Sequence, residues 1–522
     1  MSEKRDFMLV VDFGGQYCHL ISRRIRDLGV YSEILPFDRS TEDLLAGGPK
    51  GIILSGGPAS VYDPEAPKLP ELFFRTCSER GIPVLGLCYG HQLLAHVLGG
   101  KVEPRGHKEY GKTKLHVNVR EDLLWGLEDE EVVWMSHGDQ VVELPPGCDV
   151  LAHTEACPVA AFRCVQNRWY GLQFHPEVVH TVSGDQVLDN FVTRVCGAEK
   201  TWNVRDWIPR AIEEIREVVG DARVVLGLSG GVDSSVTAAL LHAALGDHLH
   251  SIFVNNGLLR AGEVEDVVQV FRRDLGFEHL HVVDAEELFL SRLAGVTDPE
   301  EKRKIIGHAF VEVFEEEAKK IEETYPNVEF LAQGTIFPDR VETAATSKSA
   351  SKIKSHHNIT LPAQMRLKLL EPLKDLYKDE VRRLGRQLGL PEHVIERHPF
   401  PGPGLAVRCV GAIDKEKLEI LRKADAILLE EIKAAGIYRD LWQAFAVFLP
   451  AKTVGVMGDF RTYEHVCALR VVQSRDAMTA NFAKLDWNLL ERIASRIINE
   501  VPGFNRVVYD VSNKPPSTIE FE

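Results

Sequence analysis

Residues 229–235, SGGVDSS, end the apolar run RVVLGL and open the helical run SSVTAALLHAAL. A strand, a double-glycine turn and a helix start in that order form a cradle for phosphate. Glycine lets the backbone come close to an anion, and the N–H groups of the first helical turn have no partner inside the helix. Ser229, Gly230, Gly231, Val232, Asp233, Ser234 and Ser235 are the residues of this candidate site. No lysine follows the glycines, so the loop lacks the grip on β- and γ-phosphates that a Walker-type loop has. Asp233 is a candidate magnesium ligand, because a hard cation takes carboxylate oxygen beside phosphate. Capping the following helix is its alternative role. Asp339, in FPD, is a second metal candidate.

A second group could release ammonia. In GIPVLGLCYGHQLLAHVL (81–98) an apolar strand runs into Gly86-Leu87-Cys88-Tyr89-Gly90 and then into a helical pattern. This has the form of a nucleophile elbow with cysteine in place of serine. The helix start behind Cys88 favours a thiolate. A lone cysteine at a strand end is otherwise a small buried apolar residue. Far downstream, YGLQFHPE ends another apolar strand with His175 and Glu177. Nucleophile, base and orienting carboxylate are the parts of a triad, which only the fold can assemble.

With ILSGGP at 53–58, the Cys, His and Glu motifs resemble the class I (triad) glutamine amidotransferases. The loop at 229–235 resembles the pyrophosphatase loop of enzymes that split ATP between its α- and β-phosphates. Both modules in this order, together with IKSHHN (353–358), HPFPGPGL (398–405), QAFAVFLP (443–450) and the closing KPPSTIEFE, resemble the glutamine-hydrolysing GMP synthetase family over essentially the whole chain. The resemblance implies amination of XMP to GMP through an adenylated intermediate. ATP becomes AMP and pyrophosphate, Mg²⁺ accompanies ATP, and no organic cofactor is bound tightly. It implies that Cys88 is the nucleophile, His175 the base and Glu177 the residue that orients it. It makes the N–H groups of Gly57 and Tyr89 an oxyanion hole, and Gln92, Ser136, His137 and Asp139 the glutamine contacts. His137 is equally readable as a satisfied core histidine. The resemblance further implies that residues 229–235 bind ATP and that Arg260, Gln443, Lys514 and Glu520 contact XMP. Two departures stand out: Asn255 and Phe521 occupy positions where family members often have Asp and Trp.

The elements that must position these groups are legible as patterns. FMLVVDF, YSEILPF, GIILSGG and IPVLGLC read as strands alternating with helices such as HLISRRIRDLG, which predicts an open, mostly parallel α/β domain over residues 7–200. The stretch 196–206 reads as a linker. ARVVLGL, HLHSIFVNN, EHLHVVDA and EFLAQGT predict a second such domain over 201–398. Residues 399–522 read as a small α+β domain with β-rich runs LAVRCVG, WQAFAVFLP, TVGVMGDF and RVVYDVS and two helices; the resemblance makes it the dimerisation domain of a homodimer. The polar stretch 339–358 reads as a mobile lid whose Lys348, Lys352 and Lys354 neutralise phosphate.

Composition limits the alternatives. The 522 residues carry 61 Lys and Arg against 77 Asp and Glu, a formal charge of −16, which argues against a nucleic-acid partner. No segment approaches the roughly 20 apolar residues of a membrane span. Nine cysteines without a CxxC pair predict reduced thiols in a cytoplasmic protein.

Overall fold

The computed structural model describes residues 6–339, 367–457, 459–474, 477 and 479–522, without the side chains of 105–108 and 457. Lys348, Lys352 and Lys354 lie outside the described residues. The chain divides into two compact units, Met1–Asn203 and Val204–Glu522, with the boundary inside the stretch read as a linker.

The first unit is built on nine strands: β1 (Phe7–Asp12), β2 (Tyr31–Pro36), β3 (Gly51–Leu54), β4 (Val84–Leu87), β5 (Lys101–Val117), β6 (Glu130–Glu143), β7 (Cys148–His153), β8 (Ala161–Cys164) and β9 (Trp169–Leu172). Their order is β2-β1-β3-β4-β9-β8-β7-β5-β6. The first five are parallel, and the pairs from β9 to β6 are antiparallel. Strands β3, β4 and β9 are buried along their whole length, as parallel strands covered on both faces must be. Their C-terminal ends carry the residues of interest. Near the end of the unit Trp202 is not a free linker residue: its N–H donates to Gly29 at 2.7 Å and its ring packs 4.9 Å from Tyr31.

Two glycines let β4 turn directly into the helix Tyr89–Val97. A Cβ on Gly86 would lie 2.3 Å from the Gly90 carbonyl oxygen, and one on Gly90 would lie 2.4 Å from that of Leu54. Both obstacles are backbone, so neither can step aside.

The expectation of nine separate thiols is corrected here. Cys148 and Cys164 stand opposite one another in the antiparallel register of β7 and β8 and are joined as a disulfide; the other seven cysteines are free and buried. A cross-strand pair needs only strand register, so a search for CxxC cannot find it.

The second unit holds two sheets. Strands β10 (Arg223–Gly227), β11 (Leu249–Asn255), β12 (Leu280–Asp284), β13 (Val328–Ala332) and β14 (Lys368–Leu370) are all parallel, in the order β12-β11-β10-β13-β14. The order reverses direction at β10, and this switch point is where doubly wound sheets bind ligands. Strands β15 (Gln443–Met457), β16 (Phe460–Gln473), β17 (Asn481–Phe482) and β18 (Phe504–Tyr509) form the other sheet around β16. Its helices start at side-chain caps: Asp414 accepts from Lys417 N at 2.9 Å, and Asp486 accepts from Asn488 N at 2.9 Å. One apolar core serves both sheets, with Val225, Ile252 and Leu331 clustering with Leu405, Phe448, Leu469 and Phe504.

Two strand expectations in this unit need correction. WQAFAVFLP and TVGVMGDF are one strand, β15, whose register shifts between Leu449 and Lys452, around Pro450. LAVRCVG is not a strand: Gly404–Val407 is a 3-10 turn, and Cys409 makes a single bridge to Phe448. Its apolar residues are buried because the turn packs into the core, which a β-rich composition imitates.

Among the described residues, no helix is long and apolar enough to cross a membrane. The elbow geometry is directly testable. Gly90→Ala must drive a methyl group into the Leu54 carbonyl and should lower the unfolding free energy by about 2 kcal/mol or more, read by chemical denaturation; wild-type stability would contradict the packing described.

Candidate active site

Cys88 sits between β4 and the helix Tyr89–Val97 with φ 51° and ψ −102°. A left-handed backbone is strained for a residue with a side chain and is held by its surroundings. The Cys88 N–H donates to Leu172 at 2.8 Å, fastening the turn to the end of β9. Its thiol lies 3.6 Å from the Ser136 carbonyl and 3.7 Å from Gln173 Nε2. His175 follows β9 and meets Cys88 beside Gly56. A Cβ on that glycine would fall 3.4 Å from His175 Cε1 and 3.6 Å from Cys88 Cβ. His175 Nδ1 is 2.7 Å from Glu177 Oε1, and the Tyr17 ring meets the imidazole edge-on at 5.0 Å. Glu177 is buried, and Arg24 Nε donates to its main-chain oxygen at 3.1 Å.

The electrostatics of this trio favour a charged imidazole. Burial pushes His175 down, but the Glu177 carboxylate and the hydrogen bond to Cys88 outweigh it and hold the ring well above its ordinary 6.5. Among the described residues, the N–H groups of Gly57 and Tyr89 donate no hydrogen bond within the protein. Free N–H groups beside a nucleophile are what a developing oxyanion requires.

Gln92, Ser136, His137 and Asp139 do gather near the thiol, largely through backbone oxygens. Gln92 Nε2 donates to the Asp139 carbonyl at 2.7 Å and to Gln173 Oε1 at 3.2 Å. His137 has Nδ1 3.0 Å from the Asp139 carbonyl and Nε2 3.3 Å from Glu109 Oε2. Both ring nitrogens are engaged, so the reading of His137 as a satisfied histidine describes its present contacts.

In the second unit β10 delivers its chain to the loop at the switch point. Gly230 has φ 72°, and Gly231 stands at the start of the helix Val232–Leu245. The loop is cross-braced: Ser229 Oγ and Ser234 Oγ are 2.9 Å apart, and Ser234 Oγ donates to the Gly231 carbonyl at 3.1 Å. Ser235 Oγ is buried with no hydrogen-bond partner among the described residues. Asp233 does not cap the helix. Its Oδ2 takes Lys378 Nζ at 2.6 Å, while Oδ1 is buried and without a hydrogen-bond partner among the described residues. Asp339 closes a turn, its Oδ2 accepting from Ile336 N at 3.1 Å.

Three of the four expected XMP contacts converge around Phe400. The guanidinium of Arg260 lies 5.1 Å from the centre of that ring, and those of Arg397 and Arg408 lie at 5.9 and 5.0 Å. Arg260 Nε is 3.0 Å from Asp425 Oδ2. Gln443 Nε2 donates to Glu520 Oε1 at 3.1 Å, and Arg408 grips both Glu520 oxygens at 3.0 and 2.9 Å. Arg397 donates to the Gly230 carbonyl at 2.9 Å and pairs with Glu263, so this cluster abuts the loop 229–235. Lys514 is not among them; its Nζ donates to Ala477 at 2.9 Å, and its backbone bridges Ala480.

Comparison with known proteins matches these pieces in the same order. Residues 9–195 match the class-I glutamine amidotransferase family, 204–293 the NAD synthase family, and 430–521 the GMP synthase C terminal domain. The GMP synthase (glutamine-hydrolyzing) of Aquifex aeolicus is 56% identical over 517 residues, covering 99% of both chains. That of Brachyspira hyodysenteriae is 53% identical over 523 residues, covering 100% of both. The chain belongs to the glutamine-hydrolysing GMP synthase family.

As a member of the GMP synthases it is an enzyme of the ligase class. Several of its site residues escape motif reading. Gln173 is two residues before His175 and faces the thiol. Lys378 comes from the helix Lys378–Gln387, remote in sequence from the loop it serves. Arg397 precedes HPFPGPGL by one residue, and Arg408 lies inside the run misread as a strand. Only the fold relates them to the site.

The His175–Glu177 pair makes a pH prediction. Because the folded value is raised, the pair stabilises the fold fully below 6.5 and loses that contribution as pH rises through the folded value. Glu177→Gln removes the charge that opposes burial, so His175 should titrate nearer to or below 6.5, measured by NMR of the ring protons. An unmoved titration would assign the shift to another group.

Proposed function

We propose that this GMP synthase family member aminates XMP to GMP in two coupled steps, with ammonia from glutamine. The observation that carries the reading is the assembly of His175 and Glu177 around Cys88, which sits on a strained elbow beside free N–H groups. Cys88 sulfur attacks the glutamine side-chain amide carbonyl. His175 takes the thiol proton and gives it to departing ammonia, and water then hydrolyses the thioester to glutamate. Glu177 orients the imidazole and stabilises its charge. Gly57 and Tyr89 N–H groups receive the oxyanion.

In the second unit the loop 229–235 holds ATP. The xanthine 2-oxygen of XMP attacks the α-phosphorus, the bond to the β-phosphate breaks, and pyrophosphate leaves. Ammonia then attacks carbon 2, and AMP departs with the oxygen. The first N–H groups of the helix Val232–Leu245 and the Ser235 hydroxyl, which has no hydrogen-bond partner among the described residues, suit the phosphates. Lys378 adds the cation that the loop itself lacks. Magnesium enters with ATP as part of the substrate and neutralises phosphate charge. The unpartnered Asp233 Oδ1 is the oxygen that suits it, and Asp339 is the second candidate. Arg260, Gln443 and Glu520 take XMP, with Lys514 approaching from its own segment. Lys348, Lys352 and Lys354, which lie outside the described residues, serve in this reading to neutralise phosphate charge. The reading includes a cytoplasmic homodimer, joined through residues 399–522, without a nucleic-acid partner.

Neutral ammonia has the lone pair that ammonium lacks, and an adenylate is exposed to water. Release beside the intermediate answers both problems by raising effective concentration. Product analysis with XMP, ATP, Mg²⁺ and glutamine should give AMP and pyrophosphate in equal amounts with GMP; ADP and phosphate would overturn the proposed cleavage. Cys88→Ala should lower glutamine-dependent synthesis at least about a thousand-fold while synthesis from ammonium salts persists. Loss of both would refute the division of labour.

A further inference from the structure

Among the described residues of the second unit, three cationic side chains have no exposed surface: Lys302, Arg408 and Arg470. Burying a cation is expensive, and an apolar residue of similar size would serve a core as well or better. All three bind the same short segment. Arg470 donates to the carbonyls of Ser512 at 2.6 Å, Thr518 at 2.9 Å and Ile519 at 3.3 Å. Arg408 forks onto Glu520 at 3.0 and 2.9 Å. Lys302, from the helix Pro299–Thr324, donates to the carbonyls of Cys409 at 2.9 Å and Ala406 at 3.2 Å and pairs with the Glu522 carboxylate.

Residue 522 is held from further directions. Gly411 N–H donates to Glu522 Oε1 at 3.0 Å, and Arg303 Nη2 donates to its main-chain oxygen at 2.5 Å. The Glu522 N–H donates to Val407 at 3.3 Å. The segment 512–522 is therefore fixed by charge-assisted bonds on both sides of Glu520, with Ile519 buried between them. Arg408 keeps Nη1 buried and, among the described residues, unpartnered, a donor left beside the Glu520 carboxylate.

We infer that Lys302 and Arg408 are positioning residues for substrate selection: they fix the Glu520 carboxylate where it meets the purine, Arg408 directly and Lys302 by latching Glu522 two residues on. The inference rests on the proposed role of Glu520 in holding XMP. A carboxylate that accepts from a purine N–H discriminates only if its direction is set, and a bidentate fork sets it. Lysine in place of Arg408 would keep the charge and lose the direction.

The test separates positioning from folding. Glu522→Gln keeps the size of the side chain and removes the charge from the latch. The double variant Lys302→Met with Glu522→Leu replaces the buried pair by apolar groups, which a core tolerates. With full-length protein and ammonium as nitrogen source, KM for XMP should rise at least about tenfold in both, while kcat at saturating XMP and KM for ATP stay within about twofold. Arg408→Lys should raise KM for XMP further. Thermal melting of each variant checks that the fold is kept; should the double variant not fold, Glu522→Gln alone decides. An unchanged KM for XMP in a folded variant overturns the inference, as does an equal loss in kcat and in KM for ATP. A wild-type enzyme that forms no GMP would instead refute the functional reading on which the inference rests.

Discussion

A chain that leaves a parallel strand and enters a helix at once cannot satisfy the first N–H groups of that helix. The whole architecture depends on that constraint. It operates at Cys88, where β4 becomes the helix Tyr89–Val97, and at Gly230–Gly231, where β10 becomes the helix Val232–Leu245. In the first case the unpaired groups stand beside Cys88. In the second they line the loop 229–235. Both turns thus use one backbone device; Gly86 and Gly90 are there because backbone lies where a side chain would be, and Gly230 because its φ is 72°.

Buried charge is the second theme. His175 and Glu177 are almost wholly removed from water, and the carboxylate sets the imidazole's proton affinity against the pull of burial. Around Phe400, Arg260 has Asp425, Arg397 has Glu263 and Arg408 has Glu520, so each cation has its own carboxylate. Such pairs add little to stability on balance, but they define direction, since guanidinium and carboxylate meet in few geometries. The Arg397 link to the Gly230 carbonyl carries that order to the phosphate loop.

The elements around both loops were legible because their strands are continuous apolar runs bounded by glycine, as in VLGL and RVVLG. The antiparallel half of the first sheet was not legible. Strand β6, EEVVWMSHGDQVVE, alternates imperfectly and is only half covered. LAVRCVG imitated a strand because a turn packed into a core is as apolar as a sheet. Cys88, His175 and Glu177 could be read because each lies near a strand end within a compact motif. Lys378, Arg397 and Arg408 could not, because ordinary surface cations have the same appearance in sequence and only tertiary contact distinguishes them. Lys514 shows the reverse: a charged residue in a specific motif whose present contacts lie away from the cluster.

The apolar core common to both sheets of the second unit has a thermodynamic consequence. Phe448 and Leu469, from the sheet that carries Gln443, share one core with Val225 of β10, the strand that leads into the loop 229–235, and with Leu331 of the neighbouring β13. Neither sheet can shed its neighbour without presenting that interior to water. Heat or denaturant should therefore melt them in one cooperative step, so that nucleotide bound at either end would protect the entire unit.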